Sequence, residues 1–97
     1  MNNCLSILRM NKVRIYTTVI CPYCDAAKRL LKVLGVAYEE ISLEGRPDER
    51  QALSEANGGW RTVPMIFIGE KFIGGFDDMK KLHDKGALLP LITGSNP

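Results

Sequence analysis

The chain is 97 residues long, 45% hydrophobic and 25% charged, with a formal net charge of +2. One domain is all that this length builds, and a chain of this size buries only somewhat more than ~60% of its unfolded surface. The apolar fraction argues against disorder, and the near-balance of thirteen basic and eleven acidic residues argues against a nucleic-acid binder driven by bulk charge; three cysteines are too few for a secreted disulfide scaffold.

Met1 to Met10 has a faintly targeting-like look, but its apolar part, Cys4 to Leu8, is interrupted by Ser6 and no basic residue precedes it. Residues 1–11 therefore read as a flexible N-terminal extension, with Met10 as a second possible start. Nothing approaches the ~20 apolar residues of a membrane span. The expected setting is the reducing cytoplasm.

The regular pattern starts at Lys12. Val13 to Thr17 alternates and is rich in β-formers, so it predicts a strand, followed by a short loop, Thr18 to Ile20. From Pro22 the period becomes helical, with Ala27, Leu30, Leu31 and Leu34 on one face and Gly35 at the stop. Val36 to Leu43 predicts a second strand. Pro47, Asp48 and Glu49 open a second helix with Ala52, Leu53 and Ala56 facing inward, and Asn57-Gly58-Gly59 ends it. Val63 to Ile68 predicts a third strand, Gly69-Glu70 a two-residue hairpin turn, and Lys71 to Ile73 the return strand. Asp77 and Asp78 open a third helix with Met79, Leu82 and His83 at helical spacing; Gly86 ends it, and Pro90 limits any regular structure beyond it. The order β-α-β-α-β-β-α predicts an α/β domain over residues 12–92. It contains a four-stranded mixed sheet with helices on both faces, and residues 93–97 form a tail.

Three places carry chemistry. Cys21-Pro22-Tyr23-Cys24 lies where the first strand hands over to the first helix. With Cys21 as the N-cap and Pro22 at the first helical position, the N–H groups of Tyr23 and Cys24 point back at the sulfur. The helix dipole adds a partial positive charge there, and both effects favour thiolate. Cys21 is the attacking thiol; Cys24, shielded inside the first turn, is the resolving thiol, and the two can form a disulfide. A zinc site would need Cys4 and His83 as further ligands, and it lacks the paired spacing of structural zinc, so no metal is expected. Thr62-Val63-Pro64 holds Val63 extended, with a proline that cannot donate to a ladder. That leaves the Val63 backbone free for an extended peptide ligand, or the proline simply protects a strand end. In Gly74-Gly75-Phe76-Asp77-Asp78, the glycines allow close approach and the helix N–H groups suit a carboxylate. Asp77 or Asp78 can cap the helix, and either can accept from a ligand ammonium group.

Taken together, these three sites resemble the dithiol glutaredoxins over roughly Val13 to Ile92, most of all the short bacterial type. The resemblance implies a thioredoxin fold and a glutathione-dependent thiol–disulfide oxidoreductase that reduces protein–glutathione mixed disulfides and protein disulfides through a Cys21/Cys24 pair. It also implies a cis bond before Pro64, against the base rate of ~5–6% for X-Pro bonds. Tyr23, Thr62, Val63, Pro64, Gly75, Phe76, Asp77 and Asp78 are the positions that would contact glutathione. In this reading Cys21 takes the glutathionyl group, a second glutathione removes it, and Cys24 resolves mixed disulfides with protein clients. The family's potentials, about −200 to −230 mV, suit a glutathione donor. Expected partners are glutathione and disulfide-bonded or glutathionylated proteins of the ribonucleotide reductase type, with no nucleic acid, no membrane and a monomeric state. The chain departs from many relatives in having Thr18 where they carry a lysine that helps hold the glycine carboxylate of glutathione; Arg61 is the candidate to compensate. Cys4 has no counterpart in the family core. It reads as a free thiol, or as a site of glutathionylation or dimer formation. Two other readings stand beside this one: a glutaredoxin-like donor reduced by thioredoxin reductase, which would not need the Gly74–Asp78 element, and an iron–sulfur cluster carrier.

Overall fold

The computed structural model describes residues 11–94. Four strands and four helices alternate in the expected order, with one helix added at the end. They are β1 (Val13–Thr17), α1 (Pro22–Val33), β2 (Tyr38–Ser42), α2 (Pro47–Ala56), β3 (Met65–Ile68), β4 (Lys71–Gly74), α3 (Phe76–Asp84) and α4 (Leu88–Thr93). The sheet order is β2-β1-β3-β4. β1 runs parallel to β2, in register from Val13 opposite Tyr38 to Thr17 opposite Ser42. It runs antiparallel to β3, and β3 and β4 form the antiparallel hairpin. The position of each strand follows from its composition. Met65-Ile66-Phe67-Ile68 is apolar throughout and buried throughout, as a central strand covered on both faces must be. Tyr38-Glu39-Glu40-Ile41-Ser42 carries two charges and forms an edge.

Period-two alternation divides the side chains between two cores. Val13, Ile15, Ile66 and Ile68 pack with Ala27 and Leu31 of α1, Met79 of α3 and Leu88 and Ile92 of α4. On the opposite face, Tyr16, Met65 and Phe67 pack with Leu43, Leu53, Trp60, Val63 and Phe72. α1 ends as its sequence suggests: Gly35 has φ +72°, its N–H reaches Lys32 O, and Val36 N–H reaches Leu31 O at 2.9 Å. This is the left-handed glycine stop of a Schellman motif.

Two expectations need correction. Ala52 and Ala56 are exposed and only Leu53 is half-buried, so α2 has no buried residue. Trp60, Val63 and Phe72 fill the face that α2 was expected to cover, and one leucine suffices to anchor the helix. The segment after Gly86 is a helix, not an end limited by Pro90. Pro90 is the third residue of α4, inside the first turn, where backbone N–H groups have no partner within the helix. Leu88 and Ile92, four residues apart, bury their side chains against the first core. Asn11 is tied to this helix by its N–H on Ile92 O at 2.6 Å and its Nδ2 on Leu91 O at 2.7 Å. Cys4 and the rest of residues 1–10 lie outside the described residues.

Candidate active site

The first helix begins on a sulfur. Cys21 is the N-cap of α1 with extended backbone (φ −152°, ψ 95°), Pro22 follows inside the first turn, and Cys24 N–H lies 3.1 Å from Cys21 Sγ. Of the two donors expected at this sulfur, the structure shows that of Cys24. Cys21 and Cys24 are joined as a disulfide across a Cα–Cα distance of 5.1 Å. Their exposures differ as their places on the helix require: 7% for Cys21 and 1% for Cys24. An incoming reactant therefore meets Cys21 first.

On the other side of Cys21 lies Val63. Its carbonyl oxygen is 3.7 Å from Cys21 Sγ, and the Val63–Pro64 peptide bond is cis. Among the described residues the Val63 N–H has no hydrogen-bond partner. From here a groove of about 300 Å³ runs to the start of α3, lined by Tyr23, Trp60, Thr62, Val63, Pro64, Gly75, Phe76, Asp77 and Asp78. The fold thus brings together all eight residues that the family resemblance implied as glutathione contacts, although they come from three separate stretches of chain. The Tyr23 and Phe76 rings lie 6.4 Å apart along the groove.

Gly75 is the N-cap of α3, and the two aspartates share neither position nor role. Asp78 turns back so that its Oδ2 accepts the Gly75 N–H at 3.0 Å, while Asp77 stays exposed. Gly74 must be glycine for two reasons. Its φ is +120°, and a Cβ there would meet Asp78 Oδ2 at 2.5 Å. Gly75 leaves room: a Cβ there would reach Trp60 Cζ2 at 3.6 Å and Pro64 O at 3.7 Å.

Trp60 is the groove residue that sequence reasoning missed. It stands edge-on to Phe72 with ring centroids 5.3 Å apart, and its Nε1 is buried without a partner among the described residues. The signal was available, because the chain's single tryptophan sits two residues before Thr62. Trp60 is also the wall between the groove and a larger hollow of about 650 Å³, lined by Arg50, Gln51, Ser54 and Arg61 among others. Arg61, the candidate to replace a missing cation, lines this hollow and not the groove; its carbonyl accepts from Arg50 Nη2 at 3.0 Å. Neither cysteine lines the hollow or the groove, but the groove includes Val63, whose carbonyl faces Cys21 Sγ.

A polar cluster beside α1 was not visible in the sequence. The buried Thr17 hydroxyl donates to Glu40 Oε2 at 2.8 Å, and Lys28 Nζ lies 3.1 Å from the same oxygen. The Thr17 hydrogen bond holds the Glu40 carboxyl below the usual carboxylate range, burial opposes this, and Lys28 assists it. The bond to Glu40 in turn raises Lys28. This cluster ties the end of β1 to β2 and to α1, one turn beyond Cys24. His83 is half-buried on α3, and among the described residues no group of three or more His, Cys, Asp or Glu is placed to hold a metal. No helix among the described residues is long and apolar enough to cross a membrane.

A sequence model of the glutaredoxin family matches residues 13–73. A glutaredoxin of Pseudomonas aeruginosa is 45% identical over 84 residues, covering 87% of this chain and 99% of that protein. Glutaredoxin 3 of Escherichia coli is 42% identical over 83 residues, covering 86% and 99%. Among solved structures, a buckwheat glutaredoxin–glutathione complex superposes with a TM-score of 0.81 at 33% identity, covering 95% of this chain and 86% of that one.

Proposed function

The chain belongs to the glutaredoxin family, has its thioredoxin fold and is a thiol–disulfide oxidoreductase; we propose that glutathione is its co-substrate and that it reduces protein–glutathione mixed disulfides and protein disulfides. The observation that carries this reading is the groove that runs from Val63, beside Cys21, to the N-terminus of α3. It presents the Val63 backbone at one end and the first turn of α3, with Asp77 and Asp78, at the other. The glutathione found in the buckwheat complex supports the choice of ligand.

In this proposal the Val63 backbone pairs with the cysteine residue of glutathione, leaving its sulfur beside Cys21. The first N–H groups of α3 receive the γ-glutamyl carboxylate. Asp77 and the outer oxygen of Asp78 receive its ammonium group. The Cys21 thiolate attacks the glutathione sulfur of a mixed disulfide; that S–S bond breaks, a Cys21–glutathione bond forms, and the client leaves as a thiol. A second glutathione thiolate then attacks the glutathionyl sulfur on Cys21, forming oxidised glutathione and restoring the Cys21 thiolate. With a protein disulfide, Cys24 attacks the Cys21–client bond and leaves the Cys21–Cys24 disulfide.

The test is reduction of hydroxyethyl disulfide coupled to glutathione reductase, with thioredoxin reductase as the alternative electron source. Turnover with glutathione and none with thioredoxin reductase is the expected result. Turnover with thioredoxin reductase alone contradicts the proposal. The same preparation, purified anaerobically, is expected to be colourless, because an iron–sulfur carrier would be brown.

A further inference from the structure

We propose that Val19 and Ile20 form an apolar ledge that receives the residues flanking the cysteine of a disulfide-bonded polypeptide substrate. The proposal rests on the thiol–disulfide chemistry of Cys21 and names the kind of client that chemistry selects. Ile20 is 90% exposed and Val19 72%. Single exposed apolar side chains are ordinary on protein surfaces, and Val33, at the far end of α1, is one. Val19 and Ile20 differ in their place. They immediately precede the attacking cysteine, and with the exposed Pro22 and Tyr23 they make the strip from Thr18 to Cys24 free of charge.

The ledge is held in position. Val19 N–H donates to Glu44 Oε1 at 3.1 Å, and Leu43 N–H donates to Thr17 O at 2.8 Å. The first bond ties the loop before Cys21, and the second ties the end of β1, to the chain that follows β2, so the loop is held at Val19 and at its start. Neither residue lines the groove. A ligand that fits the groove leaves both uncovered, so the small-molecule step does not account for them. A polypeptide does. When Cys21 attacks a client disulfide, the client becomes covalently attached through its own cysteine to the residue next to Ile20. Its neighbouring side chains then have to lie on whatever surrounds Cys21. A client with apolar residues there removes both surfaces from water, whereas a client with polar or charged residues desolvates them against two aliphatic side chains without a partner. The ledge therefore sorts clients by sequence around the disulfide.

The test uses the reduced full-length protein and two symmetric peptide disulfides that differ only in the residues on each side of cysteine, leucine in one and serine in the other. Cys21 attacks one peptide sulfur, releasing one peptide thiol; Cys24 then attacks Cys21, releasing the second. The peptide disulfide is reduced by two electrons, and the protein dithiol is oxidised to its disulfide. No glutathione takes part, so this result is separate from the test of the co-substrate. The wild-type second-order rate constant is expected to be about five- to twentyfold higher for the leucine peptide, the range for burying part of two aliphatic side chains. In Ile20→Thr, and more fully in Val19→Thr/Ile20→Thr, the ratio is expected to fall below about twofold. Threonine keeps the β-branched backbone preference of the loop. A change that only disturbed the fold would slow both peptides and leave the ratio intact. A wild-type ratio near one, or a ratio unchanged in the double variant, overturns the ledge while leaving the Cys21 chemistry standing. Failure of both peptides to react overturns the chemistry itself. Concentration-dependent dimerisation that Ile20→Thr abolishes, with the peptide ratio unaffected, gives the surface to a second copy of the chain and also overturns the proposal.

Discussion

Two helices begin at the site, and they use the same electrostatic property differently. Helix α1 starts on Cys21, whose sulfur takes the Cys24 N–H. Helix α3 starts on Gly75, which has no side chain to offer, and its cap N–H is taken by Asp78 from within its own first turn. Both N-termini carry partial positive charge. At α1 the group at the cap is the Cys21 sulfur, which is covalently part of the chain and joined to Cys24. At α3 the cap residue offers only backbone, its own N–H is held by Asp78, and the residues that open the helix line the groove. In the proposed reading one terminus holds a thiolate once the disulfide is reduced, and at the other the N–H groups that Asp78 does not take receive a charged group of the ligand. On that reading activation and recognition lie at opposite ends of the groove, and changes at the two ends should be separable in kinetics.

The largest effects should come from the sulfur end. Cys21→Ser is expected to remove all activity, toward small mixed disulfides and protein disulfides alike. Cys24→Ser is expected to lose protein-disulfide reduction and keep removal of glutathione from mixed disulfides. Equal loss of both activities in Cys24→Ser would break the division of roles between the two cysteines.

At the recognition end the expected effect is on KM. Asp78→Ala removes a carboxylate from the groove and the acceptor of the Gly75 N–H. The glutathione KM should rise about ten- to hundredfold with kcat little changed, as for loss of a charge-assisted hydrogen bond worth ~1.5–3 kcal/mol. A fall in kcat at unchanged KM would show that the two ends are not separable. Gly74→Ala should act through structure: positive φ and the clash with Asp78 are expected to cost about 1–3 kcal/mol, read as a lower Tm.

Titration of Cys21 sharpens the α1 side. A helix dipole contributes ~0.3–2 kcal/mol, at most about one and a half pKa units from a thiol near ~8.5. The Cys24 N–H adds to this, so the rate of alkylation of the reduced protein by iodoacetamide should have its midpoint below about pH 8.

The smallest expected effect lies behind α1. Glu40 is held below the ordinary carboxylate range chiefly by the Thr17 hydroxyl. A depressed carboxyl stabilises the folded state above its unfolded pKa, and that contribution is lost as pH falls through the folded value. The Tm of wild type should therefore fall more steeply than that of Glu40→Gln as pH drops below the usual carboxylate range. Solvent screens this partly exposed group, so the difference should be modest.

Most of the structure legible in the sequence was local. The N-cap cysteine, the Pro22 start and the Gly35 stop depend on neighbours a few residues away, and they appear as expected, whereas β1 is buried at four of its five residues because it is a central strand. Pro90 misled because a proline is disruptive in a helix interior and harmless in its first turn, and only the start of α4 distinguishes the two. Ala52 and Ala56 have helical spacing, but whether a face is buried depends on what packs against it, and Trp60 and Phe72 arrived there first. The Glu40–Thr17–Lys28 cluster joins residues from β2, β1 and α1, a pairing that parallel register creates and local pattern does not reveal. The eight groove residues were named through the family resemblance, motif by motif, and Trp60, their ninth neighbour, lies outside those motifs.

The central claim is that Cys21 and the start of α3 serve one ligand lying in one groove. The most direct measurement is an amide NMR comparison of Cys24→Ser before and after reaction with oxidised glutathione, with mass spectrometry confirming one glutathionyl group on Cys21. The account predicts large shifts at Val63, Gly75, Asp77 and Asp78, some far along the chain from the modified sulfur. Shifts confined to the neighbourhood of Cys21, or centred on Arg50 and Arg61 beyond Trp60, would contradict it.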